Sequence, residues 1–269
     1  MAPVAPGNKR RAFTLIELLV VLAIIGLLAS LLLPALARAR QKGLAAACLS
    51  NLKQLAVCWH AYTGDNTDFL PPNNSIMSLN NAVISAQVSW CPDHPRTDTN
   101  TVALEEGVLF PYNRSTGIYR CPADRSTLDG SSQLRNRSYN MSQSVNGWPE
   151  YLVELHLPGV SDIPAWKKFS EISRPVPASL FVFIDEHPDT LVDSQFGNPV
   201  GIPYFSQTWF DLPSDRHGQG ANLSFADGHV ERWKWKAPKV FLYLGQWPGT
   251  EDLPDFQRVK SAMKRWGDN

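Results

Sequence analysis

Asp185, Glu186, His217 and Asp227 are the residues best suited to hold a cation or pass a proton. Each falls in a loop or at the end of an apolar run, where side chains from separate strands can converge. Three carboxylates and an imidazole would form an oxygen-rich site, and calcium suits such donors outside the cell. The competing reading is a turn aspartate, a hairpin glycine and a hydrogen-bonded histidine, because the chain has no EF-hand spacing. No cofactor is required on either reading, and calcium is the one candidate. Asp185, His217 and Ser224 supply the residue types of a nucleophilic triad, but neither G-x-S-x-G nor H-E-x-x-H occurs. No catalytic residue is assigned, and the chain is read as a non-enzyme.

The four cysteines divide into two kinds. Cys48 and Cys58 lie on one predicted helix, about 15 Å apart along its axis, and cannot bridge each other while it stays helical. They read as small buried hydrophobes. Cys91-Pro92 and Cys121-Pro122 fall in loops, and in an oxidising compartment Cys91 and Cys121 are candidates for a disulfide. A C-x2-C zinc pattern is absent. Trp233 and Trp235 share one face of a predicted strand. Exposed, they would stack on sugars; buried, they are core.

The most telling single residue is Glu17. From Phe13 to Leu33 the sequence reads FTLIELLVVLAIIGLLASLLL, with only Thr14, Glu17 and Ser30 polar. A helix of that length spans a hydrocarbon core of about 30 Å. A carboxylate there costs about 2.5–3.5 kcal/mol on insertion scales. Three readings compete. A secretory signal would use Lys9-Arg10-Arg11 and a cut after Ala37, but its apolar core would exceed the usual length of about 7–15 residues. A plain single-pass anchor has bases on both flanks (Arg38, Arg40 and Lys42 follow the run), so charge gives no orientation. In the third reading a peptidase cuts between Ala12 and Phe13. The new α-amine then offers Glu17 of a neighbouring parallel helix a cation, and the pair sets the stagger between subunits.

Lys9-Arg10-Arg11-Ala12-Phe13-Thr14-Leu15-Ile16-Glu17 resembles the processing site of type IV prepilins and type II secretion pseudopilins. The resemblance implies that prepilin peptidase removes residues 1–12 on the cytoplasmic side and N-methylates Phe13. It also implies that Glu17 is the assembly glutamate. The family normally has glycine where this chain has Ala12. Implied partners are the peptidase, other pilin-like subunits in a homo- or hetero-polymer, and an inner-membrane assembly platform with its ATPase. The implied location is the inner membrane, single-pass, with a cytoplasmic N-terminus and an extracytoplasmic C-terminal domain, and a fibre after assembly. His217 and Asp227-Gly228 satisfy H-x9-D-G, which resembles the C-terminal hallmark of a pseudopilin-like group and implies no reaction.

These residues need elements to place them. Leu44, Cys48, Leu52, Leu55, Trp59 and Tyr62 recur with the 3.6-residue period of a helix that buries one stripe. The apolar helix therefore continues as an amphipathic one, with a kink expected near Pro34. Residues 179–184 read as a buried strand, and residues 222–225 and 230–235 as a hairpin turning at Asp227-Gly228. The fold class is α+β: a long N-terminal helix packed on a mainly antiparallel sheet with long loops. The segments are a leader over 1–12, a transmembrane helix over 13–36, its amphipathic continuation over 37–63 and a globular domain over 64–269.

Composition limits the functions. With 25 basic and 25 acidic residues in 269 there is no basic surplus for nucleic acid. Hydrophobic residues make up 43%, enough for one substantial core, and the aromatic content excludes disorder. The rival to a fibre subunit is a membrane-anchored extracytoplasmic binding protein, for polysaccharide or a surface ligand, that does not polymerise. A tethered metal-dependent hydrolase is the third reading.

Overall fold

The computed structural model describes residues 15–78, 81–86, 88–147, 165–197 and 207–264. The leader over 1–12 and the processing residues Ala12 and Phe13 lie outside them. The chain divides into two units, Met1–Lys42 and Gly43–Asn269.

In the first unit every described residue is helical, and the large apolar side chains face outward, Leu15 at 76% and Leu31 at 69% exposed. That much contiguous apolar surface is stable only against lipid or other helices. Helix α1 (Leu15–Asp65) begins here and runs through Pro34. Its last part belongs to the second unit. There Cys48, Leu52, Leu55, Ala56, Cys58, Trp59 and Thr63 are buried, so the predicted stripe is the face that packs.

The second unit is built on a sheet in the order β5-β3-β4-β6-β7. The strands are β3 (Tyr139–Ser142), β4 (Phe181–Asp185), β5 (Gln195–Phe196), β6 (Gly220–Phe225) and β7 (Val230–Lys234). All neighbours are antiparallel except β3 and β5. A separate two-stranded ribbon joins β1 (Ser75–Met77) and β2 (Val83–Ala86), and α2 (Val102–Glu105) is a single turn. Strands β4 and β6 are buried along their whole length, because both faces of the sheet are covered. On one face Val182 and Tyr139 pack with the α1 stripe and Trp90. On the other, Phe181, Ile184, Leu223, Trp233 and Trp235 pack with Phe256 and Val259 of α3 (Leu253–Ser261). Trp233 and Trp235 are therefore core, 5% and 1% exposed, and do not form a sugar-stacking face.

The predicted hairpin is β6–β7. Its turn needs glycine, since Gly228 has φ +88°. The Gly228 carbonyl accepts a 2.7 Å hydrogen bond from Lys53 of α1, and the Asn222 side chain donates to the Ala45 carbonyl at 3.1 Å. Strand β6 and the turn after it are therefore tied to α1 at Asn222 and at Gly228. This gives the H-x9-D-G spacing a structural reading: nine residues are β6 with its two turns.

Candidate functional site

Four elements of the second unit deliver side chains to one point against the helix-facing side of the sheet. Cys48 comes from the buried stripe of α1. Cys121 follows the 3-10 turn Thr116–Tyr119, and the Asn51 amide of α1 holds that loop by donating to the Arg120 carbonyl at 2.9 Å. Asp185 ends β4. His217 sits in the turn before β6, where Gly218 and Gln219 take φ of +64° and +55° and reverse the chain. One ligand atom from each of the four lies within 4.8 Å of all the others.

His217 Nε2 is 3.2 Å from Cys121 Sγ and 3.4 Å from Asp185 Oδ2. Tyr139, opposite Asp185 in the β3–β4 register, donates its hydroxyl to Cys48 Sγ at 3.2 Å. Arg216 reaches Asp185 Oδ1 at 3.3 Å and Asp124 Oδ2 at 2.9 Å. Cys48, Cys121 and Asp185 are 0% exposed and His217 6%. Burial disfavours the imidazolium of His217, but its contacts with Asp185 and Cys121 outweigh burial and raise its pKa to about 9. The Cys121 thiol is pushed up by its hydrogen bond to Cys48 and by burial.

Two sequence-based expectations are corrected here. The quartet Asp185, Glu186, His217 and Asp227 does not converge. Successive residues of an extended chain point to opposite sides, so Asp185 faces α1 while Glu186 turns toward Asp211 and Asp193. Asp227 stays in the hairpin turn and accepts from the His229 backbone N–H at 3.0 Å and ring Nδ1 at 2.5 Å. The Cys91–Cys121 disulfide does not form either: all four cysteines are free and buried. Cys91 Sγ lies 2.8 Å from Asp93 Oδ1, and Cys121 turns to Cys48 and His217. The sequence hid this pairing. Cys48 on the buried stripe was visible, but nothing local showed which loop would meet it. Ser224 is taken up by the Phe183 N–H at 3.2 Å.

On the other side of β4, Glu186, Asp193 and Asp211 form an acid group. Burial and the neighbouring carboxylates hold Glu186 and Asp211 well above the usual range, and burial pushes Asp193 up to about 7. The protonated forms are favoured in the folded chain. The Asp193 contribution is fully present below the ordinary carboxylate value of about 4 and is lost as pH rises through about 7. The melting temperature should fall from about pH 5 to about pH 8, and Asp193→Asn should flatten that slope. An unchanged slope in differential scanning calorimetry would contradict this assignment.

The remaining candidate, Glu17, lies in the first turn of α1 within the exposed apolar face. Residues 7–33 match the family model described as the prokaryotic N-terminal methylation motif. The amino-terminal segment is thus that of a prepilin-type, pseudopilin-like protein. The match ends at residue 33, before His217, Asp227 and Gly228. No curated protein and no solved structure matches the chain.

Proposed function

We propose that this chain is a pilin-like structural subunit that is cut between Ala12 and Phe13, methylated at Phe13 and polymerised through α1. The fibre would be a type II secretion pseudopilus or a related type IV pilus-like filament. The observation that carries this reading is the methylation motif over residues 7–33, joined to an apolar helix whose side chains face outward. One helix of the described residues is long and apolar enough to cross a membrane. It stores the subunit in the lipid before assembly and buries the same surface against other subunits afterwards. Glu17 supplies register: in a low-dielectric helix bundle an ion pair with the neighbouring Phe13 amine penalises every other stagger.

On this reading the chain crosses the inner membrane once, with the leader facing the cytoplasm and the second unit extracytoplasmic. Action is mechanical, since a lipid-stored subunit becomes a filament that pushes or presents cargo. Partners are prepilin peptidase, other pilin-like subunits and an inner-membrane platform.

Co-expression with and without a prepilin peptidase tests the reading. With the peptidase, the chain should shorten by residues 1–12 and enter a fibre fraction that mechanical shearing releases. A chain that stays full length and membrane-bound under both conditions supports the non-polymerising anchored protein instead.

A further inference from the structure

We propose that Cys48, Cys121, Asp185 and His217 bind one zinc ion, which fastens α1 to the sheet. The donors come from four separate segments and point to one spot. Three observations favour a metal over a plain hydrogen-bonded cluster.

The first is geometry. Tetrahedral zinc with bonds of about 2.0–2.3 Å places its ligand atoms about 3.3–3.8 Å apart. The spacings of 3.2 Å between Cys121 Sγ and His217 Nε2 and of 3.4 Å between Asp185 Oδ2 and His217 Nε2 are close to that edge length. All four ligand atoms fall within 4.8 Å of one another.

The second is a weakly held carboxylate. Asp185 is 0% exposed, and its oxygens meet Arg216 at 3.3 Å and the ring of His217 at 3.4 Å, neither in hydrogen-bond geometry. Buried polar atoms are nearly always hydrogen-bonded. Arg216 offsets the charge of Asp185 but is shared with Asp124. A cation between Asp185, the sulfurs and the imidazole gives this oxygen a bond.

The third is donor chemistry. Two thiols, one imidazole and one carboxylate are a zinc set, and calcium would need about six to eight oxygens. On binding, Cys48 and Cys121 release their thiol protons and His217 gives up its second ring proton, so three protons leave and the histidine coordinates as the neutral ring. Two thiolates neutralise the ion, leaving the Asp185 charge to Arg216. The Tyr139 hydroxyl on Cys48 Sγ is the outer-shell donor expected for a metal thiolate. With four protein ligands and no exposed position, the site is structural and not catalytic.

The mechanical consequence follows from placement. Cys48 is on α1, Asp185 on the central strand and His217 beside β6, so the ion cross-links the helix that polymerises to the sheet it carries. The site does not depend on the fibre reading, because its ligands all belong to the second unit.

The test uses the full-length chain in detergent, purified without a polyhistidine tag and equilibrated with zinc or cobalt(II). Elemental mass spectrometry should find equimolar zinc in the unmutated chain and in Cys58→Ala and Cys91→Ala, and none in Cys48→Ala or Cys121→Ala. The cobalt form should show thiolate charge-transfer bands and a tetrahedral d–d spectrum. That reading needs no variant and so stands even if Cys48→Ala misfolds. A folded chain that takes up no metal, a cobalt spectrum without thiolate bands, or a Cys48–Cys121 disulfide detected by mass would each overturn the proposal.

Discussion

Glu17→Ala is expected to leave the subunit inserted and folded and to reduce its fibre fraction to background. The acid lies at the start of α1, where an alanine makes the membrane segment more apolar, so insertion is not impaired. Assembly is another matter. Each subunit contact would lose an ion pair in a low-dielectric bundle and leave the neighbouring amine buried without a partner. Breaking such a pair costs about 3–5 kcal/mol. Since about 1.4 kcal/mol is tenfold, the association constant falls more than a hundredfold per contact. Glu17→Gln keeps the polarity and removes the charge, and should fail in the same way. Wild-type amounts of either variant in sheared fibres would show that Glu17 has no role in register.

Arg137→Met should destabilise the second unit by about 3–5 kcal/mol, through the uncompensated charge it leaves behind. Arg137 is 0% exposed. Its Nε donates to Asp93 Oδ1 at 2.7 Å, and its other nitrogens donate to the Tyr139 carbonyl at 2.7 Å, the Asp193 carbonyl at 2.6 Å and the Asn140 side chain. The guanidinium also stacks 5.5 Å over Trp90. Asp93 is 1% exposed, so methionine fills the volume but leaves a carboxylate in the core. The pair with Asp93 outweighs the cost of burying the guanidinium and holds its pKa above the ordinary value. The double variant Arg137→Met with Asp93→Asn should recover part of the loss. Denaturant midpoints of the detergent-solubilised chains measure both; a single variant within about 1 kcal/mol of wild type would refute the assigned role.

What the sequence revealed was what local pattern dictates. The apolar run and the stripe from Cys48 to Trp59 follow from side-chain period, and α1 has both. Strand β4 and the β6–β7 hairpin were legible from an apolar run and from Asp227-Gly228, whose turn needs a positive φ. Strand β3 alternates apolar and polar residues, but Tyr139, Asn140, Met141 and Ser142 are all buried and four residues are too short a pattern to stand out in an irregular stretch. Strand β5 is two residues long, and only its neighbour β3 gives it a place.

The candidate site was half legible. Asp185 and His217 were chosen for their chemistry at strand ends, and they do meet. Glu186 and Asp227 were chosen on the same grounds, but the extended backbone and a tight turn carry them elsewhere. Cys121 was assigned to the wrong partner because loops of uncertain path separate it from Cys48 and from Cys91 alike. Arg137 and Tyr139, in the irregular stretch around β3, carry no signature at all; their importance comes from what surrounds them after folding.

The intact mass of the subunit extracted from its native membrane tests the central claim most directly. A chain that begins at Phe13 and carries one added methyl group on its amine is the expected result. A chain that retains Met1, or one cut after Ala37, would contradict it.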